Sequence, residues 1–236
     1  MLKKSKILQL KKNCLLANKK LINKNLSIQT FGNVSQRIDK NYFIIKPSGI
    51  DLGTVDHKDF NIINIYSGKV VDGELNPSSD TETHRVLYRQ WDFIKGISHG
   101  HPTYGTSWAQ TGKPIPVLGT THADYFDKHV PITDRMKKKD IKNKYEYNTG
   151  LEILKTLKKQ KLKPNKCPGI LIRYHGVFAW GKSSYESVKN LELIEFIGML
   201  AFNSVKIGLK DKIDANLIRK HFDRKHGVNF YYGQKK

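Results

Sequence analysis

Cysteine is almost missing from this chain. Cys14 and Cys167 are the two found in 236 residues, and neither belongs to a C-x-x-C pair. No disulfide framework is implied, so a reduced, cytoplasmic setting is expected. Long apolar runs are also missing: no stretch approaches the ~20 residues needed to cross a bilayer. Near the N-terminus Lys11, Lys12 and Asn13 interrupt the apolar residues, which spoils a secretory signal core. Membrane partners are therefore not expected. Acidic residues are scarce, 21 against 42 basic ones, which leaves a formal charge of +21. An excess of that size can mark a nucleic-acid binder. Arginine, however, is the rare member of the basic set, with 7 Arg beside 35 Lys and 16 Asn. Nucleic-acid readers lean on arginine for bidentate contacts, and these lysines are spread along the chain with no aromatic-bearing groove to focus them. Lys, Asn and Ile are what AT-rich codons supply. The charge reads as compositional, and no nucleic-acid partner is expected.

Internal repeats, low-complexity linkers and Rossmann glycine spacing are absent as well. The chain reads as one mixed α and β domain spanning residues 1–236. A ragged apolar stripe from Lys3 to Lys24 predicts a surface helix. Leu26 to Ile38 reads as strand–turn–strand, with Gly32-Asn33 at the bend. Tyr42 to Ile45 reads as a strand that delivers Lys46-Pro47-Ser48-Gly49, a turn whose backbone amides could cradle an anion beside the Lys46 charge. Asn61–Tyr66 and Lys69–Val71 pair as a hairpin across Ser67-Gly68. Ser79-Asp80-Thr81-Glu82 has a capping-box pattern, yet a helix N-terminus bearing the hydroxyls of Ser78 and Ser79 also suits a phosphate. Long helices are predicted over Lys137–Lys161 and Ser183–Ile207, with a last one over Ile213–Lys225. The tail from Gly227 to Gln234 is too aromatic to be left in water and should dock somewhere.

Three histidines carry the chemistry. The strand from Phe93 to Ser98 runs into His99-Gly100-His101, and residues two apart on a strand share a face. His99 and His101 can therefore grip one ion. The run Gly169 to Tyr174 ends in His175-Gly176 and offers a third imidazole, while Asp80 supplies a carboxylate. Three His and one Asp from separate segments suit a catalytic site of the zinc type with open positions.

H-G-H, P-S-S-D-T-x-T-H, G-T-T-H-A-D-Y-F, H-G-x-F-A-W-G and the terminal K-H-G-x-x-x-Y-Y-G-Q together resemble the L-ribulose-5-phosphate 4-epimerases of the class II aldolase/epimerase superfamily. The motifs keep their order from about Asn13 to Gln234. The resemblance implies a three-layer α/β/α sandwich around a mixed, mostly antiparallel sheet. It also implies a homotetramer with active sites between subunits, and a phosphorylated ketopentose as substrate. His99, His101 and His175 would hold a divalent metal (Zn2+, with Mn2+ or Co2+ as substitutes), and Asp80 would be a fourth ligand or a proton carrier at its edge. Asn33, Ser48, Gly49, Ser78 and Ser79 would hold the sugar phosphate, with Gly32 contributing backbone beside Asn33 and Lys46 near the substrate. Asp124 and Tyr232 match the two acid/base groups, Tyr232 reaching the site of an adjacent subunit. Thr120, Thr121, His122 and His221 would orient their neighbours. Gly100 and Pro102-Thr103-Tyr104 depart from the epimerase pattern around the histidine pair. Sugar 1-phosphate aldolases of the superfamily are the nearest rival, but they generally carry Ser-Ser-Glu where this chain has Ser78-Ser79-Asp80, and they lack His-Ala-Asp-Tyr-Phe. A basic nucleic-acid-binding protein on the same fold is the reading from another class.

Overall fold

The computed structural model describes residues 4–228 and 230–233. Asn229 and Gln234, two positions of the terminal motif, lie outside the described residues. In chain order the elements are α1 (Lys4–Asn23), β1 (Asn33–Arg37), β2 (Tyr42–Ile45), β3 (Asn61–Asn64), β4 (Val70–Asp72), α2 (Thr81–Gln90) and β5 (Gly96–Gly100). There follow α3 (Thr103–Thr111), α4 (Thr120–Ala123), α5 (Lys138–Lys142), α6 (Tyr145–Lys159), β6 (Gly169–Leu171), β7 (Val177–Gly181), α7 (Ser184–Ile207) and α8 (Ala215–His226). The seven strands form one sheet in the order β4-β3-β2-β1-β5-β7-β6. Every neighbouring pair is antiparallel.

Strand alternation makes the three layers. On β1 the Ser35 hydroxyl meets His84 and Tyr88 of α2, while Gln36 Oε1 accepts the Ser184 N–H at the start of α7. On β5 the residues facing α7 are small. A Cβ on Gly96 would lie 2.2 Å from the Ser183 backbone, and one on Gly100 2.5 Å from the Leu26 carbonyl oxygen. Between them Ser98 donates to the Ser187 carbonyl of α7. The Gly-Ile-Ser-His-Gly pattern therefore presses one face of the central strand onto a helix and commits Ile97 and His99 to the other. There α6 packs on α2, closely enough that a Cβ on Gly150 would meet Val86 at 2.7 Å.

The buried Arg37 locks α2 to the sheet. Its guanidinium donates to the carbonyls of Ile94 and Trp91 at 3.0 and 3.1 Å, and to that of Tyr88. These are carbonyls at and beyond the helix C-terminus that the helix leaves without partners.

Some local expectations change. Lys137–Lys161 is two helices, because Lys144 takes a left-handed φ of 53° between α5 and α6. Only the second half of Leu26–Ile38 is a strand. The capping box does not form: Asp80 precedes α2 with no side-chain cap bond. Helix α7 buries Val188, Leu191, Ile194 and Ile197 but leaves Phe196, Phe202 and Val205 exposed.

Candidate active site

His99 sits at the end of β5, fully enclosed, with its ring stacked on Phe178 at a centroid distance of 4.3 Å. Its Nδ1 lies 3.0 Å from the Val177 carbonyl oxygen. A carbonyl only accepts, so Nδ1 carries the proton and Nε2 presents a lone pair to the cleft. His101 projects from the same side, its Nε2 3.1 Å from His99 Nε2. His175 arrives differently from the strand end expected for it, on a tight turn between β6 and β7. The Ile172 N–H donates to Gly176, and the His175 N–H to Ile172. Tyr174 holds a left-handed φ of 65° to make that turn, a cost that a bulky residue incurs only when its surroundings demand it. Gly176 is required because a Cβ there would lie 2.7 Å from the Gly100 carbonyl oxygen and 2.8 Å from the His101 ring.

The result is a nearly equilateral triangle of imidazoles, with ring centroids 4.8 to 4.9 Å apart. One ligand atom from each lies within 4.8 Å of the others. Burial first, then mutual repulsion for His99 and His101, lowers all three pKa values from the ordinary histidine range. Three neutral imidazoles converging on one point, with a carboxylate beside them, fit a divalent cation. That carboxylate is Asp80: its Oδ2 lies 3.9 Å from His99 Nε2 and accepts a 2.7 Å hydrogen bond from Asn33 Nδ2. On the far side the Tyr145 hydroxyl lies 3.3 Å from His175 Nδ1, where it can fix the ring orientation.

A cleft of about 250 Å³ opens beside the triangle. Its walls include Gly32, Asn33, Lys46, Ser48, Gly49, Ser78 and Ser79 together with His101 and His175. Two loops are zipped to form it, with Ser78 N–H donating to Lys46 and Ser48 N–H to Asn76. Gly49 has a φ of 65° and open space where a Cβ would be. Gly32 has a φ of 72°, and a Cβ there would meet the His99 carbonyl oxygen at 2.8 Å. The Lys46 ammonium is buried and donates to the Thr30 carbonyl; burial lowers its pKa against the opposing pull of Asp80. These are a cation, hydroxyls and a helix N-terminus gathered in one place, as an oxyanion requires.

Asp124 and Tyr232 do not line this cleft. Asp124 ends α4 and is held by α8: it accepts from Arg224 Nε and Nη2 at 2.9 and 2.7 Å. His221 Nδ1 stands 3.1 Å away and Lys225 Nζ 3.5 Å. Burial alone would raise the carboxyl pKa, but the bonds from Arg224 and His221 and the neighbouring charges outweigh it and hold it below the usual range. The Tyr232 ring lies over the same Arg224 and Lys225. No local sequence signal marks the contacts that Arg224 and Tyr145 make.

The Class II Aldolase and Adducin N-terminal domain family matches residues 12–201. Among solved structures the chain is similar to an L-fuculose 1-phosphate aldolase at 23% identity and a TM-score of 0.76, covering 92% of this chain and 95% of that one. An L-fuculose 1-phosphate aldolase from Glaciozyma antarctica PI12 superposes with a TM-score of 0.73 at 17% identity, covering 94% and 85%. YgbL from Escherichia coli, a putative aldolase/epimerase/decarboxylase, gives 0.71 at 19%, covering 90% and 97%.

Proposed function

We propose, from the premise that this chain belongs to the Class II Aldolase and Adducin N-terminal domain family, that it is a metal-dependent L-ribulose-5-phosphate 4-epimerase. The observation that carries the reading is the cleft in which Lys46, Ser48, Gly49, Ser78 and Ser79 meet His101 and His175. Its lining supports an oxyanion seat next to a cation site, the two groups that a sugar phosphate would need. Asp80 in Ser-Ser-Asp and the His-Ala-Asp-Tyr-Phe run favour the epimerase over a sugar 1-phosphate aldolase.

The reaction explains why both halves are needed. In L-ribulose 5-phosphate the carbonyl is at C2, so the hydrogen at C4 is not acidic. Inversion at C4 goes instead through cleavage of C3–C4 and recombination on the other face of the aldehyde. A divalent cation held by His99, His101, His175 and Asp80, zinc or in its place manganese or cobalt, would supply Lewis-acid stabilisation of the ketose oxygens. Asn33, Ser48, Gly49, Ser78 and Ser79 hold the phosphate of the departing glycolaldehyde phosphate, so the fragment turns without escaping. Gly32 keeps the backbone beside Asn33 close to His99. The Asp124 carboxylate takes the C4 hydroxyl proton of one epimer, and the Tyr232 phenol gives a proton to the aldehyde oxygen as the other epimer forms, since the two hydroxyls emerge on opposite faces. In the reverse direction each group undoes its own step. As neither group lines the cleft of its own chain, they reach that of an adjacent copy in a homotetramer. The exposed Phe196, Phe202 and Val205 of α7 are then available to be covered by neighbours.

The test is incubation of the metal-loaded protein with L-ribulose 5-phosphate and enzymatic detection of D-xylulose 5-phosphate. Turnover that stops on chelation and returns with zinc or manganese is the expected result. Cleavage of L-fuculose 1-phosphate to dihydroxyacetone phosphate, with no xylulose phosphate formed from ribulose phosphate, would assign the aldolase reaction instead.

A further inference from the structure

We infer that Glu195 is a positioning residue for the histidine triangle: its carboxylate caps the first turn of α3 and thereby fixes where His101 stands. The inference rests on the reading of that triangle as a divalent-metal site, and adds to it a residue of α7 that acts through the backbone.

His101 needs such support more than its two companions. His99 is held through Nδ1 by the Val177 carbonyl, and His175 has the Tyr145 hydroxyl at its Nδ1. Among the described residues, the one contact of hydrogen-bond length made by the His101 ring is with His99 Nε2, at 3.1 Å, and that is the ligand beside it. Phe31 stacks against the ring at a centroid distance of 6.1 Å, which packs it but bonds to nothing on it. The place of the ring is therefore set by its backbone, which leaves β5 at Gly100 and enters α3 at Thr103. Whatever fixes the first turn of α3 fixes His101.

That turn cannot cap itself. Its N-cap residue is Pro102, whose side chain has no acceptor, and no side-chain cap bond forms there. The first N–H groups of a helix lack partners within it, and an N-cap Ser, Thr, Asn or Asp ordinarily accepts from the second or third. Here Glu195 takes both. Its Oε1 accepts from the Tyr104 N–H at 3.0 Å and its Oε2 from the Gly105 N–H at 2.8 Å. The residue lies 91 and 90 positions further along the chain, half-buried on α7. A carboxylate at a helix N-terminus makes charge-assisted bonds and meets the favourable end of the helix dipole. The turn is also pressed inward: a Cβ on Gly105 would lie 2.8 Å from Val177 Cγ2 and 3.2 Å from Pro102 Cγ. Glu195 thus clamps the segment that bears His101 onto the residue whose carbonyl orients His99.

Metal binding is the direct readout, by titrating the metal-free protein with Co2+ and following visible absorption and competition with a chelator. Glu195→Gln keeps the shape of the side chain but leaves one acceptor in place of two, and turns an amide N–H group toward the helix start. It should bind Co2+ about tenfold more weakly, the lower end of the effect of residues that orient metal ligands. Its absorption bands should move as one ligand is displaced. Trp108→Phe is the control, because the Trp108 indole donates to the Gly198 carbonyl and ties the same two helices one turn further on. It should lower the urea midpoint and leave Co2+ affinity and spectrum as in wild type. Wild-type affinity in a folded Glu195→Gln protein overturns the inference. An equal loss of affinity in Trp108→Phe overturns it too, since any loosening of α3 would then suffice. Should Glu195→Gln not fold, adding Pro102→Ser supplies a local cap, and the double variant should fold and bind Co2+ as wild type does. A double variant that stays unfolded, or folds and binds at least tenfold more weakly, overturns the role in placing His101. Wild-type protein that takes up no Co2+, or no more than His99→Ala does, removes the metal reading itself, an outcome distinct from failure of Glu195 alone.

Discussion

Two histidines of the triangle are held by something other than a metal, which makes single-residue changes readable. His99 is fixed by Val177 and Phe178, His175 by its strained turn. Truncating one ring therefore removes a ligand without dismantling the others. His99→Ala is expected to purify with little metal and no turnover, measured by elemental analysis; full metal occupancy would remove it from the ligand set. Ser79 permits a complementary test, because it caps nothing and stands exposed at the mouth of α2. Ser79→Ala should weaken a phosphorylated hydroxamate analogue by about 1.5 kcal/mol or more, the value of a hydrogen bond to a charged group, and leave metal content unchanged. Equal affinity for the analogue in titration calorimetry would take Ser79 out of the phosphate seat. The histidine pair was legible because strand alternation is a local rule. Tyr145 and Arg224 were not, because their contacts to His175 and Asp124 span 30 and 100 positions, and no periodicity encodes those distances.

At the level of elements, periodicity announced most helices, since their apolar stripes are dictated by the faces they bury. It failed where a single backbone angle decides, as at Lys144, where a left-handed residue cuts one apolar pattern into α5 and α6. It failed again at Ser79, where the capping-box letters are present and the bond is not. The Ser78 carbonyl takes the Thr81 N–H and hydroxyl instead, which frees Asp80 to face His99. The junction most exposed to mutation is that between β1 and α2. Arg37 fills its end at the C-terminus of α2, its head group satisfying carbonyls of Tyr88, Trp91 and Ile94. Arg37→Met keeps the volume and strands those acceptors in a dry site. A loss of about 3 kcal/mol or more is expected from orphaned buried groups, visible as a lower urea midpoint at unchanged slope. A midpoint equal to that of wild type would mean that solvent reaches the junction.

Across the whole molecule the charge of +21 leaves the fold intact because lysines sit largely outside, while the interior carries histidines whose protonation it resists. His84 and His122 are nearly inaccessible, at 0% and 4% exposed. Burial pushes them down to about 3 and about 4. His84 Nε2 and His122 Nδ1 have no hydrogen-bond partner among the described residues, so no acceptor is at hand to welcome an added proton. Both folded values lie below the ordinary value of ~6.5 held in the unfolded chain. The unfolded state therefore binds more protons as pH falls below that value, and stability is lost from there down to the folded values. Integrated from pH 7.5 to 5, each such group removes about 2 kcal/mol, so the pair removes about 4. Carboxylates with lowered values, Asp56, Asp124 and Asp134, add their share only below the ordinary aspartate range. The apo protein's urea-unfolding free energy is thus expected to drop by several kcal/mol between pH 7.5 and 5. His122→Gln should have a shallower fall, by about 2 kcal/mol over the same interval. A wild-type curve flat across that window would mean that water enters and charges these histidines inside the native fold.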